Sequence, residues 1–219
     1  EKVGYTYLTP AEAMELRGGN ASNVLLEPIL REQLAKINTV QVSSQRTTVF
    51  SEQNITAGIE ALRNLPMAEG FMTASQVAYD LLTAGKTLEQ IVDGDKKSYV
   101  MQYIDWKHIE NNAFHVTEEF AVSRTGMSDT YRPDIVLFVN GIPLCVIECK
   151  RPDIKDSLKQ AISQHLRNQK EDGIRSLYVY SALLLATNVN EVSYATTATP
   201  EKFWSKWTEQ FADKNAEEL

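Results

Sequence analysis

The chain has 219 residues, of which 22 are basic, 29 acidic and 43% apolar, with a formal net charge of −7. That length fits one domain with elaborations, and the acidic balance argues against a broad nucleic-acid-coating surface. No apolar run reaches the roughly 18 residues that a membrane-spanning helix needs, and no basic-then-apolar leader opens the chain. The start at Glu1 reads as an excised fragment. Cys145 and Cys149 lie four apart in an apparent strand, roughly 13 Å from each other, too far for a disulfide, so a reducing, cytoplasmic setting is expected. The three histidines (His108, His115, His165) are scattered and no zinc-type Cys/His spacing exists.

In chain order, residues 9–38 read as helical. Leu26, Ile29, Leu30, Leu34 and Ile37 follow the 3.6-residue period. Gly18-Gly19-Asn20 interrupts this stretch, and Ser22 or Asn23 is expected to cap the helix after it. Thr47–Phe50 reads as extended, and residues 55–92 as two or three helices separated by Pro66 and Gly85. Ala84-Gly85-Lys86-Thr87 resembles the end of a phosphate-binding loop, but position 80 is Asp where the motif needs Gly, so Gly85 reads as a helix terminator. Strand candidates come next at 99–106, 114–122, 135–139 and 144–149. Residues 156–170 form an amphipathic helix with Leu158, Ala161, Ile162, His165 and Leu166 on one side; His165 on that apolar side reads as a satisfied buried histidine. Residues 177–187 read as a buried strand and 192–196 as a short one. Thr199-Pro200-Glu201 reads as the cap and first turn of a closing helix carrying Phe203, Trp204, Trp207 and Phe211. The order predicts an α/β domain.

Chemistry concentrates in one place. Asp134 opens an apolar strand, and Glu148 and Lys150 end the next. Alternation along a strand points Glu148 and Lys150 to one face. Charges that punctuate apolar strands tend to be paired or metal-bound, because burying unpaired charge is costly. Two carboxylates suit Mg²⁺, which activates water and stabilises charge on phosphate; a lysine beside them can orient the water or neutralise the developing charge. From spacing alone, a structural ion pair of Lys150 with Asp134 or Glu148 fits equally well. Between residues 148 and 175 seven side chains are basic and five acidic, so the neighbourhood is locally positive on an acidic chain.

The turn between the two strands sets a condition. Asn140-Gly141 is a hairpin signal. A two-residue loop pairs Val139 with Ile142 and leaves Asp134 and Glu148 on opposite faces. A three-residue loop with Gly141 left-handed pairs Phe138 with Ile142 and brings both acids to one face. The metal site therefore predicts a bulged turn at Gly141, and a tight two-residue turn with no other bulge would undermine it.

Asp134, the apolar strand and Glu148-Cys149-Lys150 resemble the PD-(D/E)xK nuclease motif. The wider text from Arg132 to Lys150, with residues 24–30, 102–106, 164–168 and 186–194, looks very much like the N-terminal nuclease domain of the R subunits of type I restriction enzymes. The resemblance implies a restriction-endonuclease-like mixed β-sheet core flanked by helices, with a helical front part over 1–97, the nuclease core over 98–200, and a closing helix and linker over 201–219 leading to a motor region. It implies Mg²⁺-dependent cleavage of double-stranded DNA, with Mn²⁺ as substitute and ATP used only by motor domains outside this chain. The implied partners are the methylation and specificity subunits, with no membrane. Position by position, Asp134 and Glu148 would bind metal, the Cys149 carbonyl would add a ligand, and Lys150 would be the catalytic lysine. An N-terminal helix Glu also contributes in the family; Glu27 is the candidate, with Glu32 as fallback. Relatives pair a helical Gln with a Tyr four residues on; Gln164 matches, but Asn168 stands at the Tyr position. The other readings are a repair or phage-type nuclease of the same fold, and a non-catalytic DNA-binding or docking module.

Overall fold

A computed structural model describes residues 4–43 and 46–208. The chain opens with β1 (Thr6–Tyr7) and α1 (Pro10–Glu15), whose start is set by a capping box. The Thr9 hydroxyl accepts from the Glu12 N–H at 3.2 Å while the Glu12 carboxylate accepts from the Thr9 N–H at 2.8 Å. Next come α2 (Glu27–Ile37), β2 (Thr39–Ser43), β3 (Arg46–Val49), α3 (Glu52–Arg63), α4 (Phe71–Ala84), β4 (Lys86–Val92) and β5 (Asp95–Met101). The rest comprises β6 (Phe114–Glu118), β7 (Val122–Ser123), β8 (Thr130–Tyr131), β9 (Ile135–Val139), β10 (Ile142–Cys149), α5 (Ser157–Asn168), α6 (Arg175–Tyr178), β11 (Leu183–Thr187), β12 (Val192–Ala195) and β13 (Ser205–Lys206).

Four local expectations fail for identifiable reasons. Neither Ser22 nor Asn23 caps α2; its first turn is tied instead to the sheet, the Leu26 N–H donating to the Gly141 carbonyl at 2.9 Å. Gly85 ends α4 at φ +80, as expected, but the chain then enters the β4–β5 hairpin and not a further helix. Its turn is Asp93-Gly94, both at positive φ, the backbone that a two-residue hairpin loop requires. The run 177–187 divides into α6 and β11, a short apolar run that periodicity alone does not assign. Among the described residues beyond Pro200 a 3₁₀ turn (Glu201–Phe203) stands where the helix was expected to open, after which the chain pairs with β12 as β13. Trp204 then packs near His165, while Trp207 lies exposed against Tyr194; Phe211 lies outside the described residues.

The central sheet is mixed, with seven strands in the order β1-β6-β9-β10-β11-β12-β13. β1 is parallel to β6 and β10 to β11; the other neighbours are antiparallel. The two apolar runs expected to be central strands, β9 and β10, lie at its middle. One continuous core joins the helical front to this sheet, with Leu30, Leu34, Ile55 and Ile59 packing with Val136, Phe138, Val146 and Leu184. α5 covers β10 and β11, with Ala161 and Ile162 against Ala186. The architecture is a helix-flanked mixed α/β sheet consistent with the restriction-endonuclease-like fold.

The hairpin that carries the acid residues departs from expectation in an instructive way. Its loop has two residues, Asn140 at φ +52 and Gly141 at φ +80, and Val139 pairs with Ile142, not Phe138 with Ile142. The register then shifts between Pro143 and Cys145, so that Leu144 is an extra residue in β10 and Cys145 pairs with Leu137. From there Val146 pairs with Val136 and Ile147 with Ile135. Continuing that register sets Glu148 opposite Asp134, on one face. The bulge that the site requires exists, three residues from where it was expected.

Candidate active site

Each side chain of the cluster is positioned by the strand that carries it. Asp134 directly precedes β9, and its carbonyl accepts from the Glu119 N–H at 3.0 Å. Its carboxylate reaches across to β10, where Oδ2 accepts from the Cys149 N–H at 2.6 Å. Lys150 leaves β10 with its own N–H donating to the Thr187 carbonyl at 2.9 Å. Its Nζ lies 3.6 Å from Asp134 Oδ2 and donates to the Cys149 carbonyl at 3.2 Å. One ammonium thus serves a carboxylate and a backbone carbonyl that point into the same space.

Glu148 is the unusual member. It is 0% exposed. Burial, and then the neighbouring Asp134 carboxylate, push its acid up to about 8, against a smaller opposite pull from Lys150 and Arg167. A buried carboxyl beside a second carboxyl holds a proton near neutrality unless a cation takes the proton's place. Among the described residues no group of three His, Cys, Asp or Glu side chains converges to hold a metal. The available donors are the Asp134 and Glu148 carboxylates and the Cys149 carbonyl, an all-oxygen set that fits a hard divalent cation able to keep several waters.

α5 secures the other side of Glu148. Gln164 Nε2 donates to Glu148 Oε2 at 2.5 Å, and Asn168 Nδ2 donates to Oε1 at 3.2 Å. Gln164 and Asn168 are four apart on one helix face, which is why both reach the same carboxylate. Behind them the Tyr178 hydroxyl lies 3.4 Å from Asn168 Nδ2 and 2.9 Å from His165 Nδ1, and His165 Nε2 lies 2.9 Å from the Leu185 carbonyl. Burial depresses His165 to about 4, so the ring is neutral and fully bonded, as its place on an apolar helix face suggested.

The structure therefore brings Asp134, Glu148, Cys149, Lys150 and Gln164 together. It does not bring Glu27 to them. Glu27 forms ion pairs with Arg31 at 3.6 Å and with Arg63. The N-terminus of α2 is fastened to the Gly141 end of the hairpin, beyond Val139, which lies five residues and roughly 17 Å along the strand from Asp134. Glu32, the fallback, lies near His115, whose strand partner is Phe138, again toward the turn. No hydrogen bond or ion pair among the described residues joins either to the acids: α2 starts at the turn end of the hairpin, where the Leu26 N–H meets the Gly141 carbonyl.

The sequence reading missed three participants. Leu144 is the bulge, and its signal was Pro143, since a proline within a central strand is confined to positions such as bulges. Asn168 holds Glu148, and its four-residue spacing from Gln164 was the available signal. Tyr178, which brings a buried hydroxyl next to Asn168 from another element, was hidden inside a run read as strand; no local signal marks it.

Over 138 residues, 63% of this chain, it is 30% identical to the MjaIXP type I restriction enzyme endonuclease subunit of Methanocaldococcus jannaschii, covering 13% of that protein. Over 182 residues, 82% of this chain, it is 29% identical to the HindI type I restriction enzyme endonuclease subunit of Haemophilus influenzae, covering 16% of that protein. The chain thus spans less than a fifth of the length of these relatives. No helix among the described residues is long and apolar enough to cross a membrane. The family model for the type I restriction enzyme R protein N terminus matches residues 1–203, so the chain belongs to that family.

Proposed function

We propose that the cluster is a divalent-metal site that cleaves double-stranded DNA, acting as the nuclease part of a type I restriction R protein. The observation that carries this reading is Glu148. It is a fully buried carboxyl, set opposite Asp134 by the register of the β9–β10 ladder, that receives two amide N–H groups. A structural ion pair needs only Lys150 and Asp134; it leaves the expense of burying Glu148 unexplained. Asp134, Glu148 and the Cys149 carbonyl would hold a divalent cation, which would supply positive charge against a phosphodiester and make water more acidic. Mg²⁺ fits the oxygen donors, with Mn²⁺ as its substitute.

This chain's residues do the rest. Asp134 and Glu148 supply the negative charge that concentrates the cation. Gln164 and Asn168 fix the direction of the Glu148 oxygens. Lys150 offers a mobile ammonium to a water or to charge developing on the phosphate, leaving the Cys149 carbonyl free to act as a ligand. The chain's relatives are far longer, which agrees with ATP-driven motor domains elsewhere in the protein and with methylation and specificity subunits as partners.

Calorimetric titration of Mn²⁺ into the chain and into Asp134→Ala tests the site. Binding to the first and loss in the second is expected. No binding in either would leave the acids as ion-pair partners and favour a docking module.

A further inference from the structure

The hydrogen bonds behind Glu148 run in one direction, and their donors and acceptors are fixed by chemistry. A carbonyl only accepts, so His165 Nε2 must donate to Leu185 O. The neutral ring then leaves Nδ1 as acceptor, and the Tyr178 hydroxyl must donate to it. That hydroxyl's oxygen is left to accept from Asn168 Nδ2. The second hydrogen of the same amide goes to Glu148 Oε1. At the far side the guanidinium of Arg167, which can only donate, places Nε and Nη2 at 3.2 and 2.9 Å from Asn168 Oδ1.

An amide can turn over. If Asn168 did so, its oxygen would face Glu148 and its N–H groups would face Arg167, a repulsion at both ends. The group that forbids the turn is Arg167, which is itself held from the other side. Its guanidinium lies 4.3 Å from the centre of the Tyr131 ring, and Arg124 lies 4.5 Å from the same ring. Arg124 is in turn anchored by Asp129 at 3.1 Å and Asp172 at 2.6 Å. The β7–β8 hairpin, which leads directly into Asp134, thus also sets Arg167.

We propose that Arg167 is a positioning residue for the metal site. It acts through Asn168, fixing that amide so that its N–H groups face Glu148 and the Tyr178 hydroxyl. The inference rests on the reading of Asp134 and Glu148 as metal ligands. It differs in sign from simple electrostatics. A cation beside a cation site repels it, so removing Arg167 for charge alone would tighten metal binding. Removing it as a positioning group loosens binding.

The test is Mn²⁺ titration, without DNA, of the unsubstituted chain, Arg167→Ala, Asn168→Ala and the double variant, with thermal unfolding of each. Arg167 is exposed, so its variant is expected to fold. The expected result for Arg167→Ala is an affinity weaker by about 10-fold, the scale for residues that orient metal ligands. The double variant should bind no more weakly than Asn168→Ala alone. Unchanged or tighter binding by Arg167→Ala, or losses that simply add in the double variant, would overturn the inference while leaving the metal site standing. No Mn²⁺ binding by the unsubstituted chain would remove the metal site itself and the inference with it.

Discussion

Asp134 faces Glu148 across the β9–β10 ladder because Leu144 is one residue more than the ladder needs. Without it, the tight Asn140-Gly141 turn would set Asp134 opposite Ile147 and send the two acids to opposite faces. The bulge turns the strand by one side-chain position between the turn and the acids. Pro143, which offers no N–H to the ladder, sits at that interruption.

The burial of Glu148, and then its closeness to Asp134, make stability depend on pH in a defined way. The Glu148 acid rises from an ordinary value of 4.5 to about 8. Between those values the unfolded chain has released a proton that the folded chain keeps, so raising the pH across that window costs stability. In Glu148→Gln this contribution should be absent, leaving the opposite slope that buried, neutral His165 adds below about pH 6.5. Urea unfolding of both chains at several pH values between 5 and 8, without divalent ions, is expected to show wild type losing ground steadily to the variant. A stability gap that does not change with pH would contradict the assignment. Saturating Mn²⁺ should restore wild type and leave the variant unaffected.

Glu27 provides the matching negative test. It sits with Arg31 and Arg63 near the turn end of the sheet. Glu27→Ala should leave Mn²⁺ affinity unchanged and shift stability by less than about 1 kcal/mol, the usual size for exposed ion pairs. A tenfold loss of Mn²⁺ affinity would place Glu27 at the metal after all.

The turn itself should tolerate little. Gly141 has φ +80, and a Cβ there would stand 2.6 Å from the Leu26 carbonyl. Gly141→Ala combines a strained backbone with a clash against the start of α2, and should cost about 2–3 kcal/mol in chemical unfolding. A loss under half of that would mean that α2 moves aside easily.

Tyr178→Phe keeps the buried ring and deletes only the hydroxyl that joins His165 to Asn168. Leaving buried polar partners unsatisfied costs about 1–3 kcal/mol. Thermal unfolding should reveal that loss, and a variant as stable as wild type would show that the network contributes no net stability.

The sequence by itself determined the parts that depend on local pattern. Alternating and continuous apolar runs marked β9 and β10, the 3.6-residue period marked α5, and the charges at the ends of β9 and β10 marked the acids and lysine. Side-chain spacing along one element is a covalent fact, so Glu148 and Lys150, or Gln164 and His165, could be placed relative to one another before any fold was known. Only the tertiary structure decided everything that depends on how elements meet. Whether Asp134 and Glu148 share a face hinged on a single extra residue at Leu144, since one step of register exchanges the faces of a strand. The pairing of Glu27 with Arg31 and Arg63 came from α2 being tied to Gly141. Tyr178 reached Asn168 only because the run read as one strand divided into α6 and β11. These are contacts between residues distant in the chain, set by packing and register, and no local periodicity encodes them.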